Sequence, residues 1–293
     1  RDLDSWRAYM LTWRARARFD QGDWQGASED IEAVLSHRRT ATVSRMTALT
    51  VLGHLRVRRG DPDASSPLEE VRTLVGTVQE LQRTAPLALA LAEAAWLRDD
   101  RATTIHEARS AYDLARERGE TWLTSGLVAW LWRADALDEQ PTGIAEPYAL
   151  EIAGDWRGAA RAWRELGCPY EHASMLAWYG GESEQREALT IFEQLGASPA
   201  AQALRKQLRA KGVRGIPRGS RPSTRSNEYG LTKREAEVLQ LLSQGLRNAV
   251  IAKRLFLSTK TVDHHVSSIL TKLGVSSRAQ ALAMTRKSST EES

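Results

Sequence analysis

Apolar residues in this chain recur at intervals of three and four, not two. Ile31, Val34 and Leu35, then Val71, Leu74, Val75 and Val78, then Leu87, Leu91, Ala94 and Ala95 each trace one stripe of a helix. A strand needs alternation or a β-branched run, and neither occurs, so the spacing predicts an all-α protein. Breaks rich in Gly, Pro and Asp separate the stripes at Gly22-Asp23, Gly60-Asp61-Pro62, Asp99-Asp100, Gly119, Gly154-Asp155, Gly167, Gly180-Gly181 and Gly196. Those at Gly22, Gly60 and Asp99 lie 38 and 39 residues apart, the length of a helix-turn-helix repeat unit. Helical hairpins that cannot bury their own faces must stack. Residues 1–211 are therefore expected to form a superhelical array, with an irregular helical bundle as the competing arrangement.

One sequence returns within this body. Gly22-Asp23-Trp24-Gln25-Gly26-Ala27 is echoed by Gly154-Asp155-Trp156-Arg157-Gly158-Ala159. Asp can cap the helix that follows each turn, Trp can wedge between paired helices, and Ala lets two backbones approach. All ten tryptophans lie before Glu182. The placement of Trp24 and Trp156 favours core. Trp122, Trp130 and Trp132 cluster on neighbouring turns and admit two readings, core wedges or a groove for a ligand or partner. The array itself resembles the tetratricopeptide-like repeats of large bacterial regulators, a fold that offers a surface for a protein or small-molecule effector at residues 1–211.

Little in the chain supports chemistry. Cys168 is the single cysteine, which suits a cytoplasmic protein and excludes an internal disulfide. Cys168 and His172 could form a thiolate pair, but Pro169 beside the cysteine more plainly starts a helix. The six histidines are scattered without an H-E-x-x-H arrangement, so no metal site is expected, and no phosphate-binding G-x-x-x-x-G-K-[ST] loop occurs. No catalytic residue and no cofactor is expected in these residues. No apolar run approaches the roughly 18 residues of a membrane span. The chain opens at Arg1 in mid-pattern, with Leu3, Trp6, Met10 and Trp13 already at helical spacing, and reads as part of something longer.

Charge divides the chain. From Gly212 onward there are 14 Lys/Arg against 6 Asp/Glu, whereas residues 1–211 carry 27 against 31. A basic excess gathered on one small segment suits a polyanionic partner. Residues 212–229 hold Arg214, Arg218, Arg221 and Arg225 among glycines and prolines, and read as a flexible basic linker. Its arginines either attract phosphates or simply keep the linker soluble.

Residues 230–285 carry the most specific signals. Thr232 and Glu235 form a capping box with Leu231 as staple. A first helix then presents Ala236, Leu239 and Leu242, flanked by Val238 and Leu241, and stops at Gly245. Asn248 can cap a second helix through Ile251, Ala252 and Leu255. After Phe256-Leu257, Ser258 is positioned to cap a third helix. At 100° per residue, Val262, Val266, Ile269, Leu270 and Leu273 fall on one stripe. Lys260, His264, Ser267, Ser268 and Thr271 lie opposite, with Asp263 at the margin. A helix with an apolar back and a front of short polar side chains can enter a major groove. Gly274 stops it, and Ser276 or Ser277 caps a fourth helix. Residues 286–293 are expected to be a disordered tail.

The landmarks LTKREAEVLQLLSQG, NAVIAKRLFLSTKTVDHHVSSILTKLGV and SSRAQALA together resemble the four-helix DNA-binding domain of LuxR-type (NarL/FixJ-type) transcriptional regulators. The whole chain is similar to the C-terminal part of large ATP-dependent LuxR-family regulators. In those a nucleotide-binding domain precedes a helical-repeat sensor, so ATP would belong to a preceding segment. The resemblance implies a double-stranded DNA partner, a homodimer on DNA, an activating role and contact with RNA polymerase. It casts helix 259–273 as the reader, with Asp263, His264 and Ser267 facing bases. Thr232, Asn248, Ser258, Lys260, Thr261, Ser268 and Lys272 would position the domain or touch the backbone, and Ala279, Leu282 and Ala283 would form the dimer seam. Many relatives carry lysine where this chain has Asp263 and Ser267. Asp263 could accept from a cytosine amine or merely favour the helix dipole. The competing function is a protein-interaction scaffold that keeps a vestigial helix-turn-helix.

Overall fold

The computed structural model describes residues 2–37, 40–76, 80–137, 141–216, 233–255, 257–273, 275, 277–278 and 280–281. The chain divides into two compact units, Arg1–Pro217 and Arg218–Ser293. All regular elements among the described residues are helices.

The first unit begins with four helices that start about 40 residues apart: α1 (Asp2–Asp20), α3 (Thr42–Arg59), α5 (Leu81–Trp96) and α7 (Thr121–Arg133). Between them lie α2 (Trp24–Leu35), α4 (Ser65–Val75) and α6 (Arg101–Glu117), each packed on the helix before it. The local causes are those read from sequence. Gly60 takes a left-handed conformation (φ 74°) to end α3, and Asp99 does the same (φ 63°) to end α5. Asp100 then accepts from Thr103 N–H at 3.0 Å to cap α6. The 40-residue rhythm shortens in α8 (Glu146–Ile152), α9 (Trp156–Glu165), α10 (Pro169–Tyr179), α11 (Glu182–Leu195) and α12 (Ser198–Ala210).

Both copies of the Gly-Asp-Trp turn do the same work. Asp23 accepts from Gly26 N–H and Asp155 from Gly158 N–H, each at 2.9 Å. A Cβ on either Gly26 or Gly158 would overlap the capping carboxylate, which explains why glycine recurs three positions after the aspartate. The tryptophans part company. Trp24 is buried and donates its indole N–H to Phe19 C=O at 3.1 Å, whereas Trp156 is half-buried with the Arg157 guanidinium 4.3 Å from its ring.

The stacked helix pairs expected of a repeat array are found, and the tertiary structure adds a closure that the periodicity did not specify. Beyond these pairs, the chain turns back on itself. Helix α12 packs against α3, and one continuous core joins Phe19, Trp24 and Leu55 to Tyr170, Phe192 and Leu208. Gly22 and Gly60 make the closure tight. A Cβ at Gly22 would lie 2.8 Å from both Leu195 and Pro169, and one at Gly60 would lie 2.9 Å from Pro199. Aromatic burial of this kind contributes about 1.5–3 kcal/mol per side chain. The ring pairs Phe19–Trp24, Trp24–Tyr170 and Tyr170–Phe192, at 6.3, 6.1 and 5.4 Å, tie the two ends together.

Closure also buries charge. Arg58 donates to Glu93 at 2.9 and 3.0 Å and to Glu171 at 2.7 Å, while His54 Nε2 meets Glu93 at 2.7 Å. Burial would raise the Glu93 carboxyl, but Arg58 and His54 outweigh it and hold it well below the ordinary range. Burial wins at His54, which is lowered and stays neutral.

The residues expected to begin the linker belong in part to this body. Val213 and Ile216 pack on the core, and Arg214 C=O accepts from Arg186 at 2.7 Å. The remainder of the expected linker, residues 217–229, lies outside the described residues, as does the expected tail 286–293.

Candidate nucleic-acid interface

The second unit is built from α13 (Lys233–Ser243), α14 (Asn248–Leu255) and α15 (Thr259–Lys272) around a core of its own. Val238, Leu239, Leu241 and Leu242 of α13 and Ile251 and Ala252 of α14 are buried. Val262, Ile269 and Leu273 close the core from α15, with Val266 and Leu270 partly covered. Ala236 departs from the expectation: it is exposed, and the buried face of α13 passes instead through Glu235 and Val238. Thr232, the other half of the anticipated capping box, lies outside the described residues.

The turn between α13 and α14 follows the sequence signals. Gly245 (φ 80°) ends α13, its N–H donating to Leu242 C=O at 2.8 Å. Helix α14, however, is not capped by Asn248. The Arg247 carbonyl opens the helix by accepting from Val250 and Ile251, and Asn248 is its first helical residue. The side chain is thereby free for tertiary work. Asn248 Nδ2 donates to Asp263 Oδ1 of α15 at 2.8 Å, and Asn248 Oδ1 accepts from Arg278 at 3.2 Å. Arg278 also donates to Leu246 C=O at 2.6 Å. On the opposite side, Arg234 donates to Leu255 C=O, the last carbonyl of α14, at 2.5 Å. Arg234 and Arg278 thus satisfy carbonyls at the ends of the reading unit, roles that sequence reasoning did not assign. A basic residue beside a helix end was the signal available.

Helix α15 sorts its side chains as its periodicity requires. Ser258 sits in extended backbone and accepts from Thr261 N–H at 3.0 Å, with its hydroxyl 2.7 Å from Thr261 Oγ1. Thr259, Lys260, Asp263, His264, Ser267 and Thr271 are exposed; Thr261, His265 and Ser268 are half-buried. Ser267 donates to Asp263 C=O at 3.0 Å, so its oxygen lone pairs face outward as an acceptor. Lys272 closes the helix, and its side chain lies outside the description. Exposed Arg247, Lys253 and Arg254 add positive charge on and beside α14. Of the fourth helix, Ser277 and Gln280 form a reciprocal cap at 3.2 and 3.3 Å, and Ala281 is buried. Ala279, Leu282 and Ala283, expected at a dimer seam, lie outside the described residues.

The residues singled out in the body do not form one site. Trp122 is exposed and lines a cavity of about 410 Å³. Trp130 is buried beside Trp96 and Trp178 at 5.8 and 6.2 Å, and lines a smaller, separate cavity. Trp132 faces Tyr179 and lines neither. The Cys168 and His172 side chains do not bond to each other; their one link is His172 N–H donating to Cys168 C=O at 3.0 Å in the first turn of α10. Burial pushes the Cys168 thiol up to about 12, opposite to what a nucleophile needs, and His172 Nδ1 is engaged by Ala160 C=O at 2.8 Å. Among the described residues no cluster of three or more His, Cys, Asp or Glu could hold a metal, and no helix is long and apolar enough to cross a membrane.

Two helices joined by a short turn, the second capped at its N-terminus and presenting a polar face outward, define a helix-turn-helix protein. Residues 230–285 match the family described as bacterial regulatory proteins, luxR family. The spore germination protein GerE of Bacillus subtilis (strain 168) is 52% identical over 52 residues, 18% of this chain and 70% of that protein. The chain belongs to the luxR family. It is also 52% identical over 52 residues to the transcriptional regulatory protein DegU of Brevibacillus brevis. A further relative is the DNA-binding transcriptional activator DevR/DosR of Mycobacterium tuberculosis (strain ATCC 25618 / H37Rv), 54% identical over 52 residues. Each of these alignments covers 18% of this chain, and only 22% and 24% of the respective relatives, so the chain matches less than a quarter of either relative's length. No solved structure matches the chain.

Proposed function

We propose that this protein is a transcriptional regulator that binds duplex promoter DNA by laying α15 in the major groove. The observation that carries the reading is the division of α15 into a buried apolar stripe and an exposed polar front, within a segment of luxR-family sequence. In this reading Asp263, His264 and Ser267 meet base edges. Lys260, Thr261 and Ser258 stand where the helix dipole and free N–H groups favour phosphate. Asn248 braces Asp263 rather than touching the backbone itself. Binding is expected to pair two chains on adjacent half-sites, because one helix reads only a few base pairs. The regulator acts as an activator that meets RNA polymerase, and the helical body receives the controlling signal. The name of DevR/DosR as an activator supports the first of these.

The test is titration of the full chain against fluorescent promoter fragments over a range of salt concentrations. Affinity should fall steeply with salt as counterions are released on binding. A Kd no tighter than about 10⁻⁴ M, without dependence on salt, would remove the DNA reading.

A further inference from the structure

Six buried side-chain polar atoms among the described residues have no hydrogen-bond partner, and four belong to residues lining one cavity. They are Arg58 Nη1, Glu171 Oε2, His54 Nδ1 and Trp163 Nε1. Buried polar groups are nearly always paired, and leaving one unpaired is costly. Four on residues that line one cavity point to a place built for something polar. The cavity has a volume of about 80 Å³ and lies inside the closed helical body, walled in part by Trp96, Trp130 and Trp178.

The four atoms have a definite chemistry. Arg58 and Trp163 offer N–H donors. Glu171 offers an acceptor, and so does His54, whose Nε2–H is taken up by Glu93. Arg58 and Glu171 already share one bond at 2.7 Å, so the free cationic donor and the free anionic acceptor stand on adjoining groups. Charge narrows the class further. Arg16 is paired with Asp20 at 2.9 Å and Arg133 with Glu151 at 2.6 Å. Arg58 alone is left to face two carboxylates, Glu93 and Glu171. Burial raises the Glu171 carboxyl despite Arg58, the mark of a carboxylate whose desolvation is only partly offset. A simple anion would meet the unpartnered Glu171 oxygen, and a simple cation would meet Arg58.

We propose that this cavity binds a free α-amino acid as its zwitterion, the ammonium on Glu171 and His54 and the carboxylate on Arg58 and Trp163. Adjacent opposite charges on the ligand match adjacent opposite charges on the wall, and both sets of hydrogen bonds are charge-assisted. Arg16 is common to the walls of this cavity and of the larger one. The latter's lining of Met46, Val51, Pro86, Trp122 and Leu123 suits an apolar side chain. The proposal rests on the reading that the helical body receives the controlling signal, and it names that signal's chemical class.

The experiment is thermal unfolding of the full chain with each common α-amino acid, with their N-acetyl and amide derivatives, and with uncharged polyols. At least one amino acid should raise the melting temperature by about 4 °C or more near 100 times its Kd. Its N-acetyl and amide forms should not. Glu171→Gln, which keeps shape and removes charge, should weaken binding by about tenfold or more by calorimetry, consistent with loss of a charged hydrogen bond. Trp163→Phe should weaken it by a smaller factor, and decides the matter if circular dichroism shows Glu171→Gln unfolded. No shift with any amino acid, equal stabilisation by acetylated forms or polyols, or unchanged affinity in a folded variant would each overturn the proposal. Promoter binding measured on the same preparation separates this failure from that of the DNA reading: intact DNA binding leaves only the ligand site refuted.

Discussion

Replacing Asp263 with Asn should invert a base preference, not merely weaken binding. In the wild-type protein Asn248 Nδ2 donates to Asp263 Oδ1 at 2.8 Å, and Arg278 fixes the other end of the Asn248 amide by donating to its oxygen at 3.2 Å. Only an oxygen at position 263 can face that donor. In the proposed complex the second carboxylate oxygen would then be an acceptor offered to the groove, a match for a cytosine N4 amine. In Asp263→Asn the amide oxygen must keep the Asn248 contact, so its NH₂ group takes the groove position. That donor repels the cytosine amine and favours an acceptor such as guanine O6, adenine N7 or thymine O4. The lost contact is worth about 1–3 kcal/mol, a factor of roughly 5 to 150 in discrimination at one base pair. Competitive selection from a randomised half-site library should show the preference moving at a single position. In Asn248→Ala/Asp263→Asn the amide can turn either way, and the preference should flatten instead. Unchanged selectivity at every position, with equal gains in cognate and random affinity, would show that Asp263 acts only through its charge.

Other outcomes follow from the same geometry. Lys260→Ala should weaken cognate and random DNA alike and reduce the salt slope by about one, since phosphate contacts carry no sequence information; a cognate-only loss would reassign Lys260 to a base. Asp155→Ala should cost about 1 kcal/mol as a lost cap. Gly158→Ala should be nearly neutral alone, because about 1 kcal/mol of helix propensity offsets the displaced cap, yet stabilising when combined with Asp155→Ala. Additive effects in denaturant unfolding would refute the steric link between the two residues. Melting temperature should decline as pH drops below about 6.5, the unfolded histidine value, because folding keeps His54 neutral while the unfolded chain takes up a proton. The slope reaches about 1.4 kcal/mol per pH unit for one proton. It continues below about pH 4.5 as Glu93, lowered in the folded state, withholds a second proton that the unfolded chain binds. His54→Gln should remove the upper part of this decline, and a flat profile between pH 7 and 5 would show that burial does not control it.

What could be read without coordinates were relations spanning a few residues. Ser258 caps α15 because its hydroxyl reaches an N–H three positions on, and Asp23 and Asp155 cap by the same reach. The buried stripe of α15 from Val262 to Leu273 follows from 3.6 residues per turn, and Gly245 from the need for positive φ. Each is settled by backbone geometry over one turn, so residue type and spacing suffice. Asn248 marks where that reasoning stops. It is a good capping residue by type, but the side chain is spent on Asp263 and Arg278, and only the packing of α14 on α15 brings those groups within reach. Ala236 was misplaced for a related reason, since the phase of α13 is set by where the core lies. The body shows the same limit on a larger scale. Helix pairs of about 40 residues are written in the chain, but whether the stack stays open or closes depends on the faces of α10 to α12 meeting α1 and α3. That meeting brings Arg58 to Glu171, 113 residues away, and creates the cavity between them. No local periodicity encodes a contact of that separation; it is decided by the total apolar area and charge that the closed arrangement removes from water.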